Sequence, residues 1–594
     1  MKKLIIYSAI ILAGASSCTK DILEKTDFNG IDERVWNNEG TANLYLNRSY
    51  DLIMPIWPHM RGNTSLPTGI HFISDDLNNG DTKPLFGTLT IDQVSDFYGS
   101  GNPNNAYSYV RRVNTMLEEI DGGTLPANVR DGIKAQGYFL RAWVYFNLWK
   151  VYGGVPYITH PQDWLSENVL VPRNKSSECV DSMLNDLAKC SILPATWGSA
   201  DAGRITSVAA QAVAGRILLY WASPLFNPNG IQERWERAYK ANRAAYDSLR
   251  LKGYELYTSY ANVLTEKGAA NKEPILIRSY NGTTTTSNTS NTWESVTRPY
   301  SETAGSGGAS NQPTWNLVRS YPMKNGKMVD EAGSGYDSVY YWKDRDPRFD
   351  ASIAYNGAVW ALSGKAGRKQ WNYTGVAEDK TRPSATGFYS RKAIPLGTLP
   401  ANVTQGAGNW VELRLAEVML NLAECANATG RISEAYDMLT AIRKRAGITA
   451  GSDNLYGLKA NMSRTEMDNA IMNERRIELA FEGKRNDDLR RTRRFHLLNG
   501  SFRQRLTITP KSPATAATLE AKDANGVMFR DKLNIDGEDY KTYFTAKVEN
   551  LSSEQTINFL QNYYFYALPT TNIAKNPSML QTKGWADGTF DPTE

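Results

Sequence analysis

The stretch from Asn128 to Tyr152 constrains the fold more than any other feature of this chain. Its Ala135, Phe139, Ala142, Tyr145, Phe146 and Trp149 keep to one face of a 3.6-residue helix, a pattern that no strand can satisfy. Gly153-Gly154 stops the helix and Val155-Pro156 leads away from it. Further helical patterns surround it. One begins near Glu39, carries Leu44, Leu46, Tyr50 and Ile53, and stops at Pro55 and Pro58. Tyr107, Val110, Asn114 and Leu117 mark another. Lys175 to Leu193 and Ser207 to Trp221 form a pair, and Ile231 to Leu251 follows with Trp235, Ala238, Ala241 and Ala245 on its inner side. Helices resume at Glu412 to Ala428, Ser433 to Ala446 and Arg464 to Arg494, and the tail from Gly500 is mixed.

Between these helices the character changes. Residues 58–104 are rich in Gly, Asn, Asp and Pro and read as loop. Residues 281–313 are rich in Thr, Ser, Gly and Asn, and core periodicity is lost until about Val411, apart from strand-like runs such as Pro274 to Arg278. Long loops inside an ordered protein are usually functional or mobile. Paired helices with small-residue runs such as Val208 to Gly215 predict a mainly α fold: a tetratricopeptide-like helix-pair repeat scaffold with a loop-rich insertion. The helical repeats occupy about 39–255 and 411–495, the loop-rich ligand region about 270–410, and 39–594 reads as a single domain. Length alone, 594 residues at about 150 per domain, would suggest about four.

Composition narrows the function. Hydrophobic residues make up 41% and charged residues 22%, a globular balance that excludes wholesale disorder. A formal net charge of +5 over the whole chain does not point to nucleic acid. With 4 His against 15 Trp, 32 Tyr and 17 Phe, histidine-based or metal chemistry is a poor fit, and no cofactor is expected.

The N-terminus sets the compartment. Met1-Lys2-Lys3 is a basic start, and Leu4 to Ala15 is an apolar run too short to span a bilayer, which needs about 20 residues. Residues 1–17 therefore read as a signal peptide. Ala15, Ser16 and Ser17 then lead into Cys18, the pattern of a bacterial lipoprotein cleavage site, with Cys18 as the lipidated residue and 18–38 as a tether. The remaining cysteines, Cys179, Cys190 and Cys425, read as small buried hydrophobes. Cys179 and Cys190 lie about 16 Å apart along one helix, too far for a disulfide.

Several motifs, taken in order, resemble the SusD/RagB family of outer-membrane lipoproteins. They are Tyr138-Phe139-Leu140-Arg141-Ala142-Trp143-Val144-Tyr145-Phe146 with Tyr152-Gly153-Gly154-Val155-Pro156, then Gly203-Arg204-Ile205-Thr206 through Leu219 to Asn227. Asp344-Arg345-Asp346-Pro347-Arg348-Phe349, Leu413-Arg414-Leu415-Ala416-Glu417 and Glu474-Arg475-Arg476-Ile477-Glu478-Leu479-Ala480-Phe481-Glu482-Gly483 follow, and the ending Asn576 to Gln581 with Gly584-Trp585 is also similar. The resemblance implies a surface lipoprotein of Bacteroidota-type outer membranes. It implies a lid on a TonB-dependent, SusC-like β-barrel, anchored in the outer membrane by lipid and capturing nutrients, most often oligosaccharides. Asp21 and Glu24 after the lipidated cysteine fit an acidic export signal. The motif aromatics and the charges of 474–491 read as packing and as an ion-pair network on helices.

A glycan site needs aromatic rings for the apolar sugar face and polar groups for the hydroxyl rim, placed on loops that a scaffold holds still. Two loop stretches supply both. The first contains Trp57, Asp75, Asp76, Asn78 and Tyr98; the second contains Tyr280, Trp293, Tyr300, Trp315, Trp342, Trp360 and Trp371. Trp293 and Tyr300 stand in a Ser/Thr/Gly loop without a core pattern and lead the ligand-contact candidates, followed by Trp360, with Tyr98, Asp75, Asp76 and Asn78 from the first stretch. Asp75-Asp76-Leu77-Asn78 could also attract Ca²⁺, but lacks EF-hand spacing. No His-Glu-x-x-His, Gly-x-Ser-x-Gly or phosphate-cradling glycine loop is present, so no catalytic residue is expected. The alternatives are a peptide-binding lid of RagB type and, further off, a glycoside hydrolase needing two carboxylates in a cleft.

Overall fold

The computed structural model describes residues 33–57, 73–78, 82–96, 98, 105–286, 289–551 and 555–594. The apolar run 4–15 and Cys18 lie outside the described residues. Helix α1 spans Glu39–Ile53, α2 Ala106–Glu119, α3 Ala127–Tyr152, α4 Ser176–Ala188, α5 Ser207–Ala222, α6 Gln232–Leu251, α7 Leu415–Ala428, α8 Ile432–Ala446 and α9 Arg464–Glu478. Local chemistry fixes their ends. The Asn38 side chain accepts from the amides of Gly40 and Thr41 at the start of α1. Ser463 and Glu466 form a reciprocal capping box on α9. Gly153 (φ 76°) and Gly447 (φ 85°) take left-side backbone angles after α3 and α8, where a side chain would be strained.

Each helix packs on the next: α2 on α3, α3 on α4, α4 on α5, α5 on α6. Across the insertion the stack continues, with α6 on α7, α7 on α8 and α9 against both. The fold is mainly α, built of tetratricopeptide-like helical repeats. The small-residue run of α5 lies at a helix crossing. A Cβ on Gly215 would sit 2.7 Å from Oδ1 of Asn242 on α6, whose Nδ2 donates to the Gly215 carbonyl at 2.9 Å. Cys179, Cys190 and Cys425 are buried, free thiols.

Two expected helices differ. The one expected from Glu412 starts at Leu415, because Trp410–Arg414 is a strand paired antiparallel with Pro274–Arg278. The one expected over 464–494 breaks after Glu478 and resumes at Arg485–Arg491. Phe481 (φ 64°) and Gly483 (φ 72°) make the break, which turns Glu482 onto Arg414 and Lys392.

The strands are short. We label Leu77–Asn78 β1, Pro274–Arg278 β2, Gln312–Pro313 β3, Trp410–Arg414 β4, Gln504–Pro510 β5 and Phe544–Asn550 β6. β1 pairs with β3 and β5 with β6, all antiparallel. The loop-rich insertion has an apolar core of its own, containing Trp293, Trp315, Tyr341, Trp342, Phe349, Trp360, Trp371 and Phe388. Its rings come from short segments with no shared period, so pattern alone does not reveal it.

A buried ion cluster ties that insertion to the repeats. Arg348 bonds Asp346 at 2.7 Å, Glu474 at 2.7 Å and Glu478 at 2.9 Å. Arg414 bonds Glu273 and Glu478 at 2.6 Å and Glu482 at 2.7 Å. Lys392 completes Glu482, Arg443 completes Glu474, and Arg445 spans Glu273 and Glu478. Five carboxylates thus meet five cations with no net charge left over. Three of the motifs quoted above, around Asp346, Arg414 and Glu478, converge here. Their role is structural, as the sequence reading of packing and ion pairs expected.

Candidate functional site

The structure sorts the sequence candidates by accessibility. Trp293 is 2% exposed. Its ring stacks on Trp57 at 4.9 Å, and its Nε1 donates to the Lys392 carbonyl. Its Ser/Thr/Gly surroundings do not leave it on the surface: the adjacent Asn291 bonds Gly406 and Gly408, which draws this segment against β4 and buries the ring. Trp360 is 1% exposed and belongs to the insertion core. Tyr98, 7% exposed, stacks on Tyr107 of α2 at 5.3 Å and meets Tyr152 of α3 edge-on, so it packs with the helices.

Asp75 and Asp76 are buried against Arg476 and Arg485. Burial opposes ionisation of both. Arg476 and Arg485 outweigh it at Asp75 and hold that carboxyl below its ordinary range, while Asp76, beside the Asp75 charge, stands above it. Both carboxylates are thus paired with guanidinium groups. Asn78 is half-buried in β1 opposite Gln312. Tyr300 is half-buried, with the Arg382 guanidinium 5.8 Å from its ring centroid. Of the seven candidates for ligand contact, Tyr300 and Asn78 keep accessible surface; the rest are packed.

The ring that remains accessible leads to a cavity. Ser301, next to Tyr300, donates its amide to Asp379 at 2.9 Å. Asp379 belongs to the loop 371–389, whose other flank faces β5 across a cavity of about 260 Å³. Trp371, Tyr373, Tyr389, Asn372, Lys380, Ser384, Arg505 and Thr507 are among its walls. It is smaller than the roughly 300–1,000 Å³ of pockets that engulf a drug-sized ligand, which suits a short segment of a larger chain.

The walls are rigidly held. Leu506 donates to the Thr386 carbonyl at 2.9 Å and Thr374 to the Ile508 carbonyl at 2.8 Å, so β5 and the loop are sewn together at both ends. At Gly387 (φ 86°) a Cβ would fall 2.1 Å from the Leu506 carbonyl oxygen, so only glycine allows this approach. Trp371 donates to Asp531 at 2.8 Å, and Tyr373 takes a bond from Arg530 at 2.9 Å. Each of the three rings is 1% exposed, so they form a fixed floor, and Tyr300 beside the loop is the ring with free surface. The Ala385 amide donates to Gln312 of β3, which places the β1–β3 ladder, and Asn78 with it, on the same side of the insertion.

Other cavities lie outside the insertion or are walled by ion pairs. The one among Trp143, Lys150, Arg216, Glu412 and Asp487 holds about 40 Å³ and is walled by ion pairs. The cleft of about 580 Å³ beside α1 and β2 is lined by Arg48, Asp51, Asp201, Arg204 and Arg278, all paired with one another. The groove of about 450 Å³ around Tyr138 lies on the helices α2 to α4. Lys380, Tyr389 and Arg505 were not singled out in the sequence. Loop signals such as Gly375, Pro383 and Gly387 mark their segment, but nothing in sequence brings Arg505 to it.

Fold and cavity together define a helical-repeat protein carrying an insertion with a core and a cavity of its own. The model of the SusD family matches residues 272–585, more than half of the chain. A second family model, described as starch-binding associating with outer membrane, matches residues 88–219. The chain belongs to the SusD family. SusD-like protein P2 of Formosa agariphila is 25% identical to it over 400 residues, covering 65% of this chain and 70% of that one. The crystal structure of a SusD-like protein from Bacteroides fragilis NCTC 9343 superposes with a TM-score of 0.72 at 23% identity, over 93% of this chain and 99% of that one. A laminarin-binding SusD-like protein superposes with a TM-score of 0.61 at 20% identity, over 92% and 100%.

Proposed function

We propose that this protein is a cell-surface glycan-binding lipoprotein. It captures oligosaccharides or polysaccharides and delivers them to a TonB-dependent transporter of the outer membrane, where its own acylated Cys18 anchors it. The observation that carries the reading is the family match over residues 272–585, which includes both walls of the cavity, 371–389 and 505–508. The outer-membrane association in the description of the second family model supports the location, and the laminarin binding of a structural relative supports the ligand class.

Asn372, Ser384, Thr507 and Lys380 offer the polar rim that sugar hydroxyls need, and Tyr300, outside the cavity lining but joined to the same loop through Ser301 and Asp379, offers an apolar face. Capture is favoured over hydrolysis because, among the described residues, no Asp or Glu lines the cavity, whereas a glycosidase needs two carboxyl groups flanking the bond. Affinity electrophoresis of the mature protein through gels containing individual polysaccharides tests the reading. Retardation by at least one glycan is expected. No retardation by any glycan, together with tight binding of peptides, would refute it in favour of peptide capture.

A further inference from the structure

We infer that the cavity between the loop 371–389 and β5 selects glycans that carry anionic groups, carboxylate or sulfate; this rests on the glycan reading above. Neutral sugars are held by a mixture of donors and acceptors, and carboxylates commonly accept from their hydroxyls. Among the described residues this cavity is lined by two cations, Lys380 and Arg505, and by no Asp or Glu. Lys380 is exposed, and no carboxylate partners it among the described residues.

Arg505 is only partly satisfied. It bonds Glu549 at 3.2 Å, but Glu549 also bonds Lys547 at 3.1 Å and accepts from Thr507 at 2.7 Å. The Arg505 Nε is buried without an acceptor. Such an N–H is costly to leave unpaired, while the side chain as a whole keeps 30% of its surface. Arg382 adds a further cation on the Tyr300 flank, exposed and set over the ring. The acids nearby are outside the lining and bonded to other groups, Glu520 to Tyr373 and Arg530 and Asp531 to Trp371 among them. Asp379 is buried and committed to the Ser301 amide and Gln370. Glu378 faces away to Arg530. The wall itself thus presents Lys380 and Arg505, while behind it Arg382, Lys547 and Arg530 are matched by Asp379, Glu549, Glu378, Glu520 and Asp531, so the positive charge is confined to the lining of the recess. Fixed cations with few competing carboxylates recognise an anion by charge-assisted hydrogen bonds. The Tyr300 ring, on the other flank of the same loop, offers an apolar face to the sugar that bears it.

Isothermal titration calorimetry of the mature protein tests this, with an oligogalacturonate, a sulfated galacto-oligosaccharide, and neutral α- and β-gluco-oligosaccharides as probes. One anionic probe should bind at least about tenfold more tightly than either neutral one, and raising the salt should erode that margin. The two anionic arms distinguish carboxylate from sulfate. Lys380→Gln should weaken the anionic probe about tenfold, the worth of one charge-assisted hydrogen bond, and Lys380→Arg should retain binding. Lys444→Gln, on the exposed face of α8 and outside the cavity, removes the same charge and should change nothing. Neutral probes binding as tightly as anionic ones would overturn the inference and leave the glycan reading standing. So would anionic binding that Lys380→Gln does not weaken. Binding of none of the probes or of any polysaccharide in the gel assay would remove both.

Discussion

Arg414→Met tests how the insertion is held on its scaffold. Arg414 is buried and donates to Glu273, Glu478 and Glu482 and to the Glu478 carbonyl. Losing one partner of a buried charge pair costs about 3–5 kcal/mol, because the other charge is left in a poor dielectric. Here each carboxylate keeps a second cation: Arg445 for Glu273 and Glu478, and Lys392 for Glu482. The cost should therefore fall at the low end, about 3 kcal/mol. The cluster then carries one excess negative charge. Glu482 is the group expected to take up a proton, since burial raises its pKa and Arg414 is first among the charges that hold it down. Two consequences separate this account from simple loss of packing. The destabilisation should shrink as the pH is lowered from 8 toward 5, and Glu482→Gln should restore part of the stability lost in Arg414→Met. Equilibrium urea denaturation followed by tryptophan fluorescence and circular dichroism reads both. A loss below about 1 kcal/mol, or a double variant weaker than Arg414→Met alone, would refute the reasoning.

Acid should unfold the protein through the same kind of group. Burial raises the pKa of Glu412, but Lys484 and Arg216 overcome it and bring the carboxyl down to about 2; Glu474, Glu478, Glu482 and Asp488 are also lowered. Folded-state values below the unfolded ones, about 4.3 for Glu and 3.9 for Asp, mean stabilisation present above pH 5 and lost as the pH falls toward 2. The urea midpoint should hold from pH 8 to 6 and decline below 5; a flat profile to pH 3 would contradict the shifts. Trp293→Ala should act as a core substitution and cost about 3–5 kcal/mol of stability, with the glycan affinity of the folded fraction unchanged. Loss of affinity without loss of stability would return Trp293 to the site. Cys18→Ala should release the otherwise intact protein from the membrane fraction; retained anchoring would refute lipidation at Cys18.

The helical scaffold was legible because amphipathic periodicity is a local signal. α3, α5 and α6 start and stop within a residue or so of where Pro, Gly and cap residues place them. The breaks were less legible where a tertiary contact overrides propensity. The strand at Trp410–Arg414 exists because β2 pairs with it from about 130 residues away, and the interruption after Glu478 exists because Glu482 must reach Arg414. The insertion misled in an instructive way. Trp293 and Trp360 sit in segments with no period, and absence of period was read as exposure. Short irregular segments can still bury a ring when several converge from distant parts of the chain, as Trp57, Trp293 and Trp410 do. The cavity itself depends on Arg505, which lies more than 100 residues beyond Lys380 in sequence, so only the folded chain assembles it.

The central claim is that glycan binds in the cavity between residues 371–389 and 505–508 and extends around that loop to Tyr300 on its other flank. The most direct test takes a glycan that retards or titrates the wild-type protein and measures its affinity for Tyr300→Ala, with the urea midpoint measured in parallel. Tyr300 is half-buried, so its removal should leave the midpoint nearly unchanged. The account predicts a loss of about 1–3 kcal/mol in binding, the range for stacking of nucleic-acid bases on aromatic side chains, taken here by analogy for a sugar face. Undiminished affinity for Tyr300→Ala and also for Lys380→Gln would place the glycan elsewhere on the protein and contradict the account.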